Sequence, residues 1–156
     1  MTTIERDMSA QVFTCAPSAR LPDVARIMWD KDCGFVPVVK PATGELVGVI
    51  TDRDICMAAY TKGRPIALIA AEDVMTRQVH SCRPDDELAA VHDLMREHQV
   101  RRLPVVDGKR RPVGVLSVND LAVHALEQDE RPALMEVGRT VGEVSRHRLP
   151  VSIFPS

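Results

Sequence analysis

The sequence predicts a mixed α/β domain, of the α+β type, built from two copies of one β-α-β-β-α unit. The first observation is a pair of similar segments, GVITDRD at residues 48–54 and GVLSVND at residues 114–120. The second is the constant offset between the copies, which pairs Met8 with Met75 and Pro37 with Pro104. One residue is gained or lost in the turn at 40–44, where a change in length costs little. A duplicated supersecondary unit explains both observations.

Hydrophobic periodicity and turn residues predict the elements of each copy. Apolar residues at i, i+3, i+4 and i+7 predict a helix from Leu21 in the first copy and from Leu88 in the second, where acidic residues 85–87 would form the first turn. Proline and glycine mark the ends of the strands. The predicted strands are at residues 12–15, 35–39 and 46–51 in the first copy, and at 79–82, 103–106 and 112–117 in the second. The second helices are predicted at 55–60 and 121–126. Each unit leaves apolar surface uncovered, so we expect a pseudo-twofold to pack the two copies into one domain.

Both repeated segments place a hydroxyl and a carboxylate at the start of a helix, Thr51 with Asp54 and Ser117 with Asp120. Unpaired N–H groups at a helix N-terminus attract anions such as phosphate. A carboxylate there can accept hydrogen bonds from the vicinal hydroxyls of ribose. The pattern therefore indicates a nucleoside phosphate. The alternative is an ordinary helix cap in which the acid answers the helix dipole, and the occurrence of two matching copies favours binding.

Composition limits the class of protein. The chain has 156 residues, of which 45% are hydrophobic and 27% charged, with a net charge of −2. These values predict a folded core, and the absence of a basic stripe argues against nucleic acid as a partner. No signal peptide or membrane span is visible, and four cysteines without CxxC spacing favour free thiols in the cytoplasm. No nucleophile with a base and no Walker-type loop can be assembled, so we expect no catalysis.

The motifs resemble those of a tandem pair of CBS domains, a Bateman module. The resemblance depends on Val74-Met75-Thr76 with Met8-Ser9, on the two PVV strands, and on the repeated segments at 48–54 and 114–120. It implies a first domain at 4–64, a second at 71–127 and a C-terminal tail at 128–156. It also implies a regulatory module that binds AMP, ADP, ATP or another adenosyl ligand in two clefts, with no further cofactor and no metal.

The resemblance assigns residues of both copies to each cleft. One cleft would join Thr51 and Asp54 to residues 76–81, and the other would join Ser117 and Asp120 to residues 9–14. Arg101 and Arg102 would meet phosphates, whereas the first copy has Gly34 and Phe35 at the equivalent places. The predicted nucleotide-binding residues are Ser9, Val12, Thr14, Thr51, Asp54, Thr76, Val79, Ser81, Arg101, Arg102, Ser117 and Asp120.

Other residues allow simpler interpretations. His80 and Cys82 alternate on one strand and could touch a metal, but a metal site is not favoured because no second pair is present. We expect His92 to be a core or interface histidine, and Cys15 and Cys82 to be small hydrophobes. In the tail we expect a helical turn within 133–138 and an apolar end at 149–154, packed on the module or on a partner.

The family resemblance also predicts a homodimer that pairs through its helices. We expect the apolar positions of these helices, Val24, Met28, Val91 and Met95, to serve both the core and the interface. The alternative function is a structural module for oligomerisation or partner docking, with empty clefts.

Overall fold

A computed structural model describes residues 3–146 and confirms the α+β class and the duplication. Each copy contributes one two-stranded antiparallel sheet, and the register shifts at the same point in both, between Val38 and Val39 and between Val105 and Val106. The elements are α1 (Leu21–Asp30), β1 (Phe35–Val39), β2 (Leu46–Thr51), α2 (Asp52–Thr61), α3 (Leu88–His98), β3 (Arg102–Val106), β4 (Pro112–Ser117), α4 (Val118–Glu127) and α5 (Arg131–Val144). Short 3-10 turns lie at Ile4–Arg6, Ile66–Leu68 and Ala71–Asp73.

The strand predicted at the start of each copy is reduced to a single parallel bridge. Cys15 pairs with Val38, donating its N–H to the Pro37 carbonyl at 3.1 Å, and Cys82 pairs with Val105 in the same way. A parallel ladder would continue through the N–H of residue 37, which proline lacks. Pro104 has the same effect in the second copy. The proline of each PVV strand therefore limits its partner to one bridge.

The acidic residues 85–87 precede α3 rather than forming its first turn, because the helix begins at Leu88. Asp86 instead accepts a hydrogen bond from the Arg83 N–H at 2.8 Å, which stabilises the turn before the helix. The prediction that these acidic residues form the first turn of the helix was therefore wrong.

The segment that opens each copy packs on the other half. Ser9 exchanges two backbone hydrogen bonds with Val115 in β4, at 2.9 and 3.0 Å, and Thr76 does the same with Val49 in β2. The approach requires glycine beneath it, because a Cβ on Gly48 would lie 2.5 Å from the Met75 sulfur. On Gly114 it would lie 3.0 Å from the Ser9 carbonyl oxygen. The exchange ties the two halves into one unit.

Two apolar cores lie between the sheets and their helices. Ile69, Ala71 and Met75 from the connecting segment complete the first core, and Ile4 completes the second. Cys15 and Cys82 are buried in these cores, as predicted, and burial raises the pKa of their thiols to about 11 and about 12. The four positions expected to serve core and interface together are all buried: Val24, Met28, Val91 and Met95 are at most 8% exposed.

The C-terminal tail forms a longer helix than predicted. Instead of one turn within 133–138, α5 runs for 14 residues and packs against α3 and α4. Its buried side chains are Val137, Thr140 and Val144, at most 9% exposed. A polar residue in this stripe, together with Gly138 and Gly142, makes the helical pattern weak in the sequence. The apolar end predicted at 149–154 lies outside the described residues.

Within residues 3–146, no helix combines the length and apolar character that crossing a membrane requires.

Candidate functional site

The repeated hydroxyl and carboxylate form a capping box at the start of α2 and of α4. The Asp54 N–H donates to Thr51 Oγ1 at 3.2 Å, and the Thr51 N–H donates to Asp54 Oδ2 at 2.8 Å. In the second copy the Asp120 N–H donates to Ser117 Oγ at 3.1 Å, and the Ser117 N–H donates to Asp120 Oδ2 at 2.8 Å. The Ser117 hydroxyl also donates to Asp120 Oδ2 at 2.6 Å. The capping interpretation thus holds for Oδ2 of both carboxylates. Among residues 3–146, no hydrogen bond to Oδ1 of either carboxylate is present.

A cavity of about 890 Å³ opens beside the first capping box, between the two halves. It brings together six of the predicted residues: Thr51, Asp54, Thr76, Val79, Arg101 and Arg102. We call it the arginine cleft. Ser81 does not line it. Arg101 and Arg102 of the second copy therefore line the same cleft as the Asp54 carboxylate of the first copy.

Positive charge dominates the arginine cleft. Its lining contains four arginines (Arg53, Arg101, Arg102 and Arg146) against two carboxylates, Asp52 and Asp54. Arg101 is exposed and donates from Nη2 to the hydroxyl of Ser145, 2.8 Å away, just beyond the end of α5. A site of this charge suits an anionic ligand, and guanidinium groups are well shaped for phosphate.

A stacked pair of imidazoles stands at the same cleft, and the sequence did not predict it. The rings of His80 and His98 lie 3.5 Å apart with an angle of 12° between their planes, and His80 lines the cavity. Desolvation, with a smaller effect of His98, lowers the pKa of His80. Cys82 is buried in the second core instead of sharing a site with His80, and residues 3–146 contain no group of three side chains suited to a metal.

The second predicted cleft is smaller and acidic. A groove of about 280 Å³ runs between residues 6–9 and α4, and it brings Ser9 and Asp120 together. We call it the acidic groove, because one arginine, Arg6, faces three carboxylates: Asp7, Asp120 and Glu127. Of the other residues predicted for this cleft, Val12, Thr14 and Ser117 line neither cavity.

Asp7 is the least expected residue of the acidic groove. Its side chain is 1% exposed, and Oδ1 lies 3.3 Å from Nδ1 of His124. Burial raises the pKa of Asp7, and the nearby His124 opposes that effect. The duplication pairs Asp7 of the first copy with Val74 of the second, and His124 of the second copy with Ala58 of the first. Aligning the two copies would have revealed this replacement of an apolar pair by an ionisable one.

The family model of the CBS domain matches the chain twice, over residues 4–60 and 71–127. The chain therefore belongs to the CBS domain family, as its motifs predicted. It is 33% identical over 129 residues to the CBS domain-containing protein YhcV of Bacillus subtilis, and the match covers 83% of this chain and 89% of that protein.

Two further similarities bear on function. The chain resembles the CBS domain pair of protein MJ0100, solved in complex with 5′-methylthioadenosine and S-adenosyl-L-methionine, with a TM-score of 0.71 and 28% identity. That match covers 79% of this chain and 98% of the other. This chain is also 32% identical to a homoserine O-acetyltransferase of Methanococcoides burtonii, but the match covers 77% of this chain and only 23% of that enzyme.

Proposed function

We propose that this protein is a regulatory module that binds an adenine nucleotide between its two CBS repeats and is not itself an enzyme. The observation that carries the proposal is the arginine cleft, where one cavity joins the Asp54 carboxylate to Arg101 and Arg102. The adenosyl ligands of the MJ0100 domain pair support the ligand class. A cytoplasmic location accompanies the proposal, since all four cysteines are free thiols.

Each part of the cleft suits one part of a nucleotide. The free oxygen of Asp54 can accept hydrogen bonds from the ribose hydroxyls, and the backbone of residues 76–79, on the wall of the same cavity, would line the base. Phosphates would extend toward Arg101 and Arg102, where charge-assisted hydrogen bonds are strongest. The ligand acts by binding one arrangement of the module more tightly than another, which changes its conformation or its association.

Calorimetric titration with adenosine, AMP, ATP and S-adenosylmethionine tests this function, with GTP as the control for the base. A ligand at 100 times its Kd adds about 2.7 kcal/mol to the free energy of unfolding. For a chain of this size, the melting temperature should rise by roughly 5 to 10 °C. GTP should bind more weakly than ATP. If every adenosine ligand at millimolar concentration leaves heat and melting temperature unchanged, the sensor function is wrong.

We also propose that the protein forms a homodimer, through α1 and α2 instead of through all four helices of the repeats. The apolar positions expected to serve core and interface together are all buried within the monomer: Val24, Met28, Val91 and Met95. On the second half, α5 packs against α3 and α4, and the large apolar side chains that stay exposed on α4, Val123 and Leu126, are aliphatic. On the first half, Trp29 and Tyr60 remain 87% and 83% exposed, and Met57 is 45% exposed. Large exposed aromatic side chains are typical of protein interfaces.

Sedimentation equilibrium of the wild type and of Trp29→Glu tests the dimer. A tryptophan at the centre of an interface commonly contributes enough for its loss to weaken association about tenfold or more. Met135→Lys, which changes a side chain of α5 that is 76% exposed, is the matched control and should leave the dimer intact. A wild-type monomer at tens of micromolar would contradict the proposal. A dimer that binds no adenosine ligand would instead favour the structural alternative.

A further inference from the structure

The helix α5 meets the second half mainly through polar contacts. Thr140 lies 2.8 Å from Nδ1 of the buried His92, and Arg96 donates to both Thr140 and Glu136. The buried apolar part of α5 is small, since only Val137 and Val144 join the second core. A cavity of about 270 Å³ remains between α3 and α5. A contact of this kind resembles the polar interfaces between elements that move relative to one another.

The C-terminal end of α5 forms part of the wall of the arginine cleft. Val144 and Arg146 line the cavity, and Ser145 accepts the hydrogen bond from Arg101 at 2.8 Å. The same guanidinium is thus within reach of a phosphate in the cleft and of the helix end.

Electrostatics make those two partners competitors. The last turn of α5 contains Glu143 and no basic residue, while its carbonyl groups carry the negative end of the helix dipole. Arg101 places a positive charge there, and the Gln99 side chain donates to the carbonyls of Glu143 and Arg146. Arg146 is engaged with Glu143 at 3.0 Å. A phosphate that draws Arg101 away removes a favourable charge and brings an anion close to the same helix end.

We propose that α5 is coupled to the arginine cleft, so that a phosphate engaging Arg101 releases this side chain from Ser145 and weakens the docking of α5 on the second half. The inference rests on the proposed nucleotide-binding function and adds its regulation. Coupling is reciprocal: whatever weakens the docking of α5 must tighten the binding of a phosphate-bearing ligand. Adenosine, which has no phosphate, should be indifferent to α5.

The test combines hydrogen exchange with titration of two variants in the full chain. ATP should speed amide exchange in residues 139–145, and adenosine should not. Ser145→Ala should bind ATP about threefold to tenfold tighter and adenosine equally well. Glu136→Gln loosens α5 through Arg96, away from the cleft, and should tighten ATP about twofold to threefold.

The outcomes separate this proposal from the function on which it rests. If no adenosine ligand binds the wild type, the function itself is wrong. If ATP binds but exchange in 139–145 is unchanged or slower, and Ser145→Ala binds ATP equally or more weakly, the function stands and the coupling is overturned. A gain of affinity in Ser145→Ala without any in Glu136→Gln would show that Ser145 competes for Arg101 only locally, which overturns the release of the helix.

Discussion

The two halves have the same backbone fold and differ in what packs on their helices. On α3, His92 and Arg96 hold α5, whereas the equivalent residues of α1 are Ala25 and Trp29. The second helices differ too: Ala125 of α4, which packs against α5, is 2% exposed, while its counterpart in α2, Ala59, is exposed. Duplication has preserved the core and the capping boxes. Divergence has changed the outer helix faces, since α5 packs on the second half and the first half leaves Trp29 and Tyr60 exposed.

The two cavities differ in the balance of charged side chains that line them. The arginine cleft has four arginines against two carboxylates, and the acidic groove has one arginine against three carboxylates. Equivalent positions explain much of this contrast, because Arg101 and Arg102 stand where the first copy has Gly34 and Phe35. The stacked His80 and His98 also have different counterparts in the first copy, Phe13 and Lys31, whose Nζ lies 5.0 Å from the centre of the Phe13 ring. Ligands rich in phosphate should therefore prefer the arginine cleft.

The largest effect is expected from removing both arginines. Each charge-assisted contact with phosphate contributes on the order of 1.5 to 3 kcal/mol, so the loss of two such contacts in Arg101→Ala with Arg102→Ala should weaken ATP by about a hundredfold or more. Adenosine should bind as it does to the wild type. Calorimetric titration measures both.

The matched control removes two positive charges from the exposed surface of the first half. Arg26→Ala with Lys62→Ala changes residues that line neither cavity, and it should alter ATP affinity by less than about twofold. Equal losses of ATP and adenosine in the double-arginine variant would mean that the two guanidiniums are solvated surface.

A smaller effect, on stability, is expected at the glycines beneath the exchanged segments. Gly48→Ala and Gly114→Ala place a methyl group against Met75 and Ser9 and should each lower the free energy of unfolding by about 1 to 3 kcal/mol. The melting temperature should fall by roughly 3 to 10 °C. Gly108→Ala adds a methyl group with nothing within 4 Å and should change little. Three equally stable variants would argue against the close packing of the exchanged segments.

The smallest effect concerns His92, which is buried against α5. Burial lowers the pKa of His92; the nearby Glu136 carboxylate opposes this effect, and the Arg96 guanidinium adds to it. Below about pH 6.5 the imidazole of His92 binds a proton in the unfolded chain but stays neutral in the folded one. The contribution of His92 to the free energy of unfolding is therefore fully present above pH 6.5 and is lost as the pH falls. His92→Ala, which restores the alanine of the first copy, should lack this part of the pH dependence.

Urea unfolding at pH 7.5 and pH 5.5 measures the effect, which the ordinary histidine pKa limits to at most about 1.4 kcal/mol over this range. Burial raises the pKa of nearby Asp7 and changes stability in the opposite direction, so the informative quantity is the difference between wild type and variant at each pH. A constant difference would show that His92 does not contribute to the pH dependence.

The sequence was sufficient for features that depend on local pattern or duplication. The capping boxes, the hairpins and the meeting of Asp54 with residues 76–79 follow from repeated motifs and the family resemblance. The length of α5 could not be predicted, because its buried stripe includes Thr140, which is stabilised only by contacts with α3. The link between Arg101 and Ser145 joins residues 44 positions apart, and no periodicity indicates it.

Comparison of Asp54→Ala with Asp120→Ala tests most directly the claim that the two halves hold clefts of opposite charge preference. Each variant loses one of the two equivalent capping boxes, at the start of α2 or of α4, so any general effect of losing a cap is shared. Titration with ATP and adenosine should show that Asp120→Ala keeps the preference of the wild type for ATP. In Asp54→Ala that preference should be lost, with any remaining binding no stronger for ATP than for adenosine. A preference for ATP that survives in Asp54→Ala and disappears in Asp120→Ala would contradict the assignment of phosphate binding to the arginine cleft.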